Sequence, residues 1–320
     1  MSNFMNGVAR QFRIELWASW LSRSALAVLV AVLLGSGVAI IGGFSAARNA
    51  DHRVVMDLGF AATTGGTLED ALSEPYSVEQ QGDQTTISNP LHYHYVAAIN
   101  SIRAISGGPI PVISGIVEAV AFLIMPLALA FFGASSASDD LRQRTMKLRA
   151  AGDSWRAITV GKLLTIPAVS VVAVVITVLI GLIASLIIRQ DMLGLSSGIV
   201  YDMAYGSQGA PLVLKLLFAW VMGTFFGVLG YALGAIFRSR LWVTVLAAVF
   251  LLAVTFLGRA DPRNCLLVLG SSVTDGWGAL TLNAPIPLGK TAAVGIVAAY
   301  LVVALVLAFV FPRPSRRYGK

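Results

Sequence analysis

Long apolar runs alternate with short polar ones along most of the chain. Residues 24–47, 119–138, 163–188, 216–237, 241–258 and 291–312 carry no charged side chain. A helix that crosses a bilayer needs about 20 predominantly apolar residues. The pattern therefore predicts an all-α integral membrane protein with six spans in a transmembrane domain over 24–320. The first run starts only after Arg23 and is longer than the roughly 7–15-residue apolar core of a cleavable signal. It is read as a retained first span.

Residues 1–23 have a different periodicity. Phe4, Val8, Phe12, Leu16 and Trp20 recur every fourth residue, and Trp17 and Leu21 widen that face. Asn6, Arg10 and Arg13 fall largely elsewhere. This predicts an amphipathic helix lying in the membrane interface, with Phe12, Trp17 and Trp20 at headgroup level.

Three connections stand out. Residues 46–109 are long and turn-rich, which predicts a small ordered cap or a loop. Residues 139–162 form a polar belt between the second and third runs. In it, Ser138 suits a helix N-cap. Asp139 and Asp140 suit the first turn, and Lys147 and Arg149 suit the last. Asp140 and Arg144 form an i,i+4 pair, and Gly152 is placed as a stop. Asp153 or Ser154 can cap a second helix that leads into the third span. The belt therefore predicts a short helix, a turn and a return. Leu141, Thr145 and Leu148 share one face of that helix. The third connection, 259–290, is irregular, and irregular backbone at membrane depth needs protein or water around it.

Charge gives the expected orientation. The belt holds six basic and three acidic residues, whereas 46–109 holds three basic and seven acidic ones. Basic residues also flank the first span, form the Arg238–Arg240 turn and populate the tail. Short basic loops stay on the cytoplasmic side. Both termini, the belt and that turn are expected inside, and the formal net charge of +7 is a topology signature. A nucleic-acid surface needs a clustered basic face with stacking aromatics, and none is evident.

Candidate chemistry is sparse. Cys265 is the only cysteine, so no internal disulfide is possible, and it reads as an apolar filler. His92 and His94 in "HYH" would face one side of a strand, but zinc takes three or four ligands and no third is evident. Glu118 is an outer headgroup residue or a buried group on the path, depending on where the second span begins. Pro126 can kink that span. Gly223, Gly227, Gly230 and Gly234 read as a close helix-packing stripe. "PLGKT" at 287–291 lacks the earlier glycine of a phosphate-binding loop. No catalytic, cofactor or metal site is expected in the chain.

On these residues the layout resembles the membrane subunit of a type-2 ATP-binding-cassette exporter. The loose motif of that family in the belt runs from an acidic-Arg start through a Gly-Thr pair to Gly-Lys. Here it reads Asp139, Asp140, Arg142, Arg144-Thr145, Leu148 and Gly161-Lys162, with Asp for the usual Glu and Arg144 where Gly is common. The resemblance implies a coupling helix formed by Asp139, Asp140, Leu141, Arg142, Arg144, Thr145, Leu148, Arg149 and Gly152. It also implies a separate cytoplasmic ATPase carrying ATP and Mg, a second permease subunit (a homo- or heterodimer), a cell-membrane location, and a re-entrant piece in 259–290. Other classes remain open at this point: a secondary transporter, an integral membrane enzyme with an outer polar cap, or a membrane protein without transport.

The loop asymmetry sets a topology test. In a Cys265→Ser background, Asp83→Cys should react with an impermeant thiol reagent added outside intact cells, and Ser315→Cys should not. Labelling of both from one side would remove the six-span arrangement.

Overall fold

The computed structural model describes residues 2–63, 65–81, 84–143, 154–199, 201–202, 210–274 and 286–311. Among them the chain is helical apart from one two-stranded ribbon. The elements are α1 (Ser2–Leu21), α2 (Ser24–Thr63), α3 (Leu68–Ser73), β1 (Val78–Gln81), β2 (Gln84–Ile87), α4 (Pro90–Ser106), α5 (Pro109–Phe122) and α6 (Ile124–Gln143). They continue with α7 (Trp155–Ile187), a 3-10 turn at Gln190–Leu193, α8 (Leu212–Phe237), α9 (Arg240–Leu252), α10 (Pro262–Gly270) and α11 (Lys290–Val310).

Among the described residues four helices, α2, α7, α8 and α11, are long and apolar enough to cross a membrane. The bent pair α4 and α5 would make a fifth. The protein is thus a multi-pass, all-α membrane protein, but two of the expected spans differ. The expected second span, 119–138, is divided between α5 and α6, with the break at Leu123. Pro126 explains it: it has no N–H to donate to Phe122, and its ring crowds that carbonyl. The expected fifth span ends early. At 13 residues, α9 rises about 20 Å, short of the roughly 30 Å hydrocarbon core. Conversely, the 40-residue α2 is about 60 Å long. It therefore continues well past Ala47, through Arg48, Asp51, Arg53 and Asp57, into what the sequence suggested was loop.

The contacts divide the chain into two compact units. Unit 1 comprises residues 1–35, 117–177 and 210–320. Its centre is α6 against α8. A Cβ on Gly133 would lie 2.0 Å from the Gly227 carbonyl oxygen, and one on Gly230 would lie 2.2 Å from that of Ala130. The backbones therefore touch where side chains would normally stand, as small residues allow in membrane helices. Ala130 faces Gly230 and Ala134 faces Gly234, so the two helices run in the same direction. Met222, Phe225, Phe226 and Leu266 form an apolar cluster beside this seam. At the end of α8, Arg238 takes a left-handed conformation (φ 52°) and donates its N–H to Gly234. Ser239 then caps α9 through the Trp242 N–H.

Unit 2 comprises residues 36–116 and 178–209. Ile99, Ile102, Ile105, Val112 and Leu193 are fully or almost fully buried in it. Pro109 starts α5 at 95° to α4, and Gly108, at φ 98°, supplies a backbone that L side chains rarely adopt. The expected cap is ordered in its described residues. Thr67 and Asp70 make a reciprocal capping box on α3, and Ser77 and Ser88 hydrogen-bond across the foot of the ribbon. The "HYH" stretch is not a strand. Asn89 caps α4 and Pro90 starts it, so His92 and His94 sit about 200° apart on a helix.

The α6–α8 seam predicts that Gly230→Ala destabilises the protein by about 1–3 kcal/mol through overpacking. Gly295→Ala, whose new methyl meets open space, should be neutral. Thermal unfolding in detergent separates the two, and equal effects would contradict a seam held by backbone contact.

Candidate functional site

The base of the belt is built from α6, α7 and α1. The expected cap at Ser138 is not used: α6 runs through it to Gln143, so Asp139, Asp140, Leu141 and Arg142 form its last turn. Packing overrides the local signal. The α6–α8 seam reaches Ala134, and Ser135 and Ser138 are themselves buried, so burial carries the helix past a residue that prefers to start one. Arg144, Thr145, Leu148, Arg149 and Gly152 lie outside the described residues. The return is as expected: the Ser154 hydroxyl accepts the Ala157 N–H at 3.3 Å and α7 begins at Trp155. Seven residues on, Gly161-Lys162 ties this helix to two others. Lys162 is buried and donates to the Ser136 carbonyl of α6. A Cβ on Gly161 would lie 2.9 Å from Gln11 Cβ and 3.1 Å from Phe12 N, so α1 rests on this glycine.

The faces of α1 differ from the simple amphipathic reading. Val8, Gln11, Glu15 and Ser19 form the buried stripe, and Phe12 and Leu16 lie half-buried beside it. Phe4, Met5, Asn6, Arg10 and Arg13 face outward in the first half, and Ile14, Trp17, Trp20 and Leu21 in the second. Trp17 is 71% exposed. Trp17 and Trp20 thus point outward, whereas Phe12 points toward the protein. Five residues separate Phe12 from Trp17, about 140° around a helix of 3.6 residues per turn, which is why they part company.

Basic residues of several described elements meet at one end of unit 1. Since α6 and α8 are parallel, the belt and the Arg238–Arg240 turn leave from the same end. Gly161 brings α1 there, and Trp155 meets Phe309 of α11 edge-on, with ring centroids 6.3 Å apart. This brings the end of α11 to the same end.

Toward the other end, Glu118 of α5 and Lys215 of α8 form a buried ion pair at 2.5 Å. Lys215 is 6% exposed and Glu118 9%. The buried alternative for Glu118 is the observed one. An apolar crevice lined by Val117, Val120, Met125, Val174, Thr177 and Ala219 has no room for a water-sized occupant. Pairing, not solvent, is what neutralises these charges in low dielectric.

Two other polar sites are structural. In unit 2, Asp51 is fully buried. It accepts the Ser196 N–H at 2.7 Å, the Ser197 N–H at 3.1 Å and the Tyr201 hydroxyl at 2.8 Å. Burial, with Asp51 accepting its proton, pushes the Tyr201 phenol well above its ordinary range, so it stays a donor. In unit 1, Arg263 donates to Val254 at 2.6 Å and to Thr255 at 2.9 Å, and also to Phe250. It stacks over the Phe250 ring and pairs with Asp261 at 2.6 Å. Burial opposes ionisation of Asp261, but the Arg263 and Leu257 hydrogen bonds outweigh it and hold the carboxyl below its usual range. Burial and the Asp261 charge push the Cys265 thiol up, in keeping with an inert filler.

Among the described residues no three His, Cys, Asp or Glu side chains group as metal ligands. His94 meets Asp57 at 2.5 Å and His92 meets the Glu74 carbonyl at 2.7 Å. No family model matches the chain, and no curated protein is significantly similar to it.

Sequence reasoning missed Lys215, Asp51 and Arg263. Lys215 had a usable signal, a lone lysine one turn after Pro211 with apolar residues on both sides. The other two are partnered across long sequence separations or by backbone carbonyls, and nothing local announces that.

The pair predicts that Lys215→Met or Glu118→Gln alone destabilises the protein by about 3–5 kcal/mol, because each leaves a buried group uncompensated. Glu118→Leu together with Lys215→Leu should recover most of the loss. Detergent melting of the three variants measures it, and a double variant as unstable as the singles would contradict the pairing argument.

Proposed function

We propose that this chain is the permease subunit of an ATP-binding-cassette exporter. It would form a path for a hydrophobic or amphipathic substrate and be driven by a separate cytoplasmic ATPase that binds ATP and Mg. A second permease subunit, identical or related, would complete the path in the cell membrane, with both termini cytoplasmic. The observation that carries this reading is the junction at Gly161-Lys162. There the helix leaving the belt touches α1 through Gln11 and Phe12, and α6 through Ser136. A push on the belt therefore reaches two elements of unit 1 directly, as well as the 33-residue α7. That is what a device receiving mechanical work from a partner requires. The partner must bind the two membrane states with different affinity for its cycle to shift them.

A second reading, secondary transport, is favoured by the Glu118–Lys215 pair, since ionisable groups among apolar helices can carry coupling ions. It predicts substrate flux that follows an ion gradient without a bound ATPase.

One experiment separates them. The full chain should co-purify with an ATPase encoded elsewhere. In the proposed docking face, Leu148→Asp should weaken that association at least about tenfold and uncouple hydrolysis from export. Arg149→Ala should change both about twofold or less, as a rim charge does. Parental co-purification and coupling for Leu148→Asp, in a variant that inserts normally, would remove the belt as the docking element. Ion-driven flux without any ATPase would replace the exporter reading.

A further inference from the structure

The end of unit 1 where the basic segments meet also carries its outward-facing tryptophans. On α1, exposed Arg13 stands one turn from exposed Trp17, and Trp20 follows on the same side. At the α8–α9 turn, exposed Arg238 and Arg240 adjoin Leu241 and Trp242, which are 69% and 65% exposed. At the start of α7, exposed Arg156 lies over the Trp155 ring at 5.8 Å. So three separate elements present a guanidinium beside an indole, all at this end. Contacts fix the arrangement: Gly161 on Gln11 and Phe12, Lys162 on Ser136, and Ala134 on Gly234, one turn before Arg238.

A protein partner alone would not need this pattern. Indole rings favour the boundary between headgroup and acyl chain, which leaves each adjoining guanidinium at phosphate depth. Arginine binds phosphate bidentately, and a basic residue near an acidic leaflet contributes about 1 kcal/mol, or about fivefold in binding. On α1 the exposed Arg10 and Arg13 alternate with exposed apolar residues, Phe4 and Met5 before them and Ile14, Trp17, Trp20 and Leu21 after, as a helix at the headgroup boundary requires.

We propose that Arg13, Arg238 and Arg240, with Trp17, Trp20 and Trp242, form a contact surface for acidic phospholipid headgroups of the adjoining leaflet. The inference concerns unit 1 alone and stands whether or not the chain is an exporter subunit.

The test uses the full chain in phosphatidylcholine vesicles doped with brominated phosphatidylglycerol, which quenches tryptophan fluorescence at contact. The parent should select phosphatidylglycerol over phosphatidylcholine at least about fivefold. Arg13→Gln with Arg238→Gln and Arg240→Gln should bring the ratio close to one. The corresponding triple lysine variant should retain most of it, and so should Arg259→Gln with Lys290→Gln, which removes charge from the opposite end. A parent ratio near one, a triple glutamine variant that keeps the parental ratio, or an equal loss from the opposite-end variant would overturn the proposal. Should the triple glutamine variant fail to fold, raising salt decides on the parent itself. Exposed headgroup contacts are screened, so a preference unchanged at high salt overturns the proposal and a lost one supports it.

Discussion

The backbones of α6 and α8 touch, and unit 1 is arranged around that contact. Between helices in lipid there is little hydrophobic driving force, because the acyl chains are as apolar as leucine, and association rests on van der Waals packing. Gly133, Gly227 and Gly230 remove the side chains that would hold the axes apart. The consequences travel outward. Parallel packing places the end of α6 and the Arg238–Arg240 turn together. It carries α6 beyond Ser138, so that Ser136 offers its carbonyl to Lys162. Near the same seam, a Cβ on Gly227 would meet Ile166 of α7 at 2.3 Å, which draws the third helix into the same close packing.

Three buried charged sites among the described residues are each partnered by other parts of the chain. Glu118 and Lys215 neutralise each other across α5 and α8. Asp51 is held by backbone N–H groups and hydroxyls of one loop. Arg263 satisfies carbonyls left open where α9 ends. This last case shows why α9 can stop short. Carbonyls at a helix end within an apolar environment cost several kcal/mol unless they are bonded, and one guanidinium with five donors meets that demand while Asp261 balances its charge.

The junction at Gly161 joins packing to the proposed work of the protein. A side chain there would push α1 away; glycine lets the helices meet. The stripe of α1 that faces inward is partly polar, with Gln11, Glu15 and Ser19, and Trp17 and Trp20 are left outward. The same helix can thus rest on the bundle and still turn its tryptophans outward.

Composition alone determined that the chain is a helical membrane protein, because charge-free runs of span length have few other homes. The close-packing role of the α8 glycines, the Ser154 cap, the break at Pro126 and the Arg238–Arg240 turn were also legible, since each depends on residues a few positions apart. Asymmetry of charge between loops pointed to one basic end. Tertiary structure decided the rest. Ser138 is a good cap in isolation and is overridden by burial of α6. "HYH" fits a strand by alternation and becomes a helix because Asn89 and Pro90 start one ahead of it and Ile99 and Ile102 anchor it in a core. The inward turn of Phe12, the partner of Glu118 and the acceptors of Arg263 depend on which surfaces meet. Those meetings join residues as distant in sequence as Gly161 and Phe12. Periodicity records the faces of one helix; only packing chooses which face looks inward.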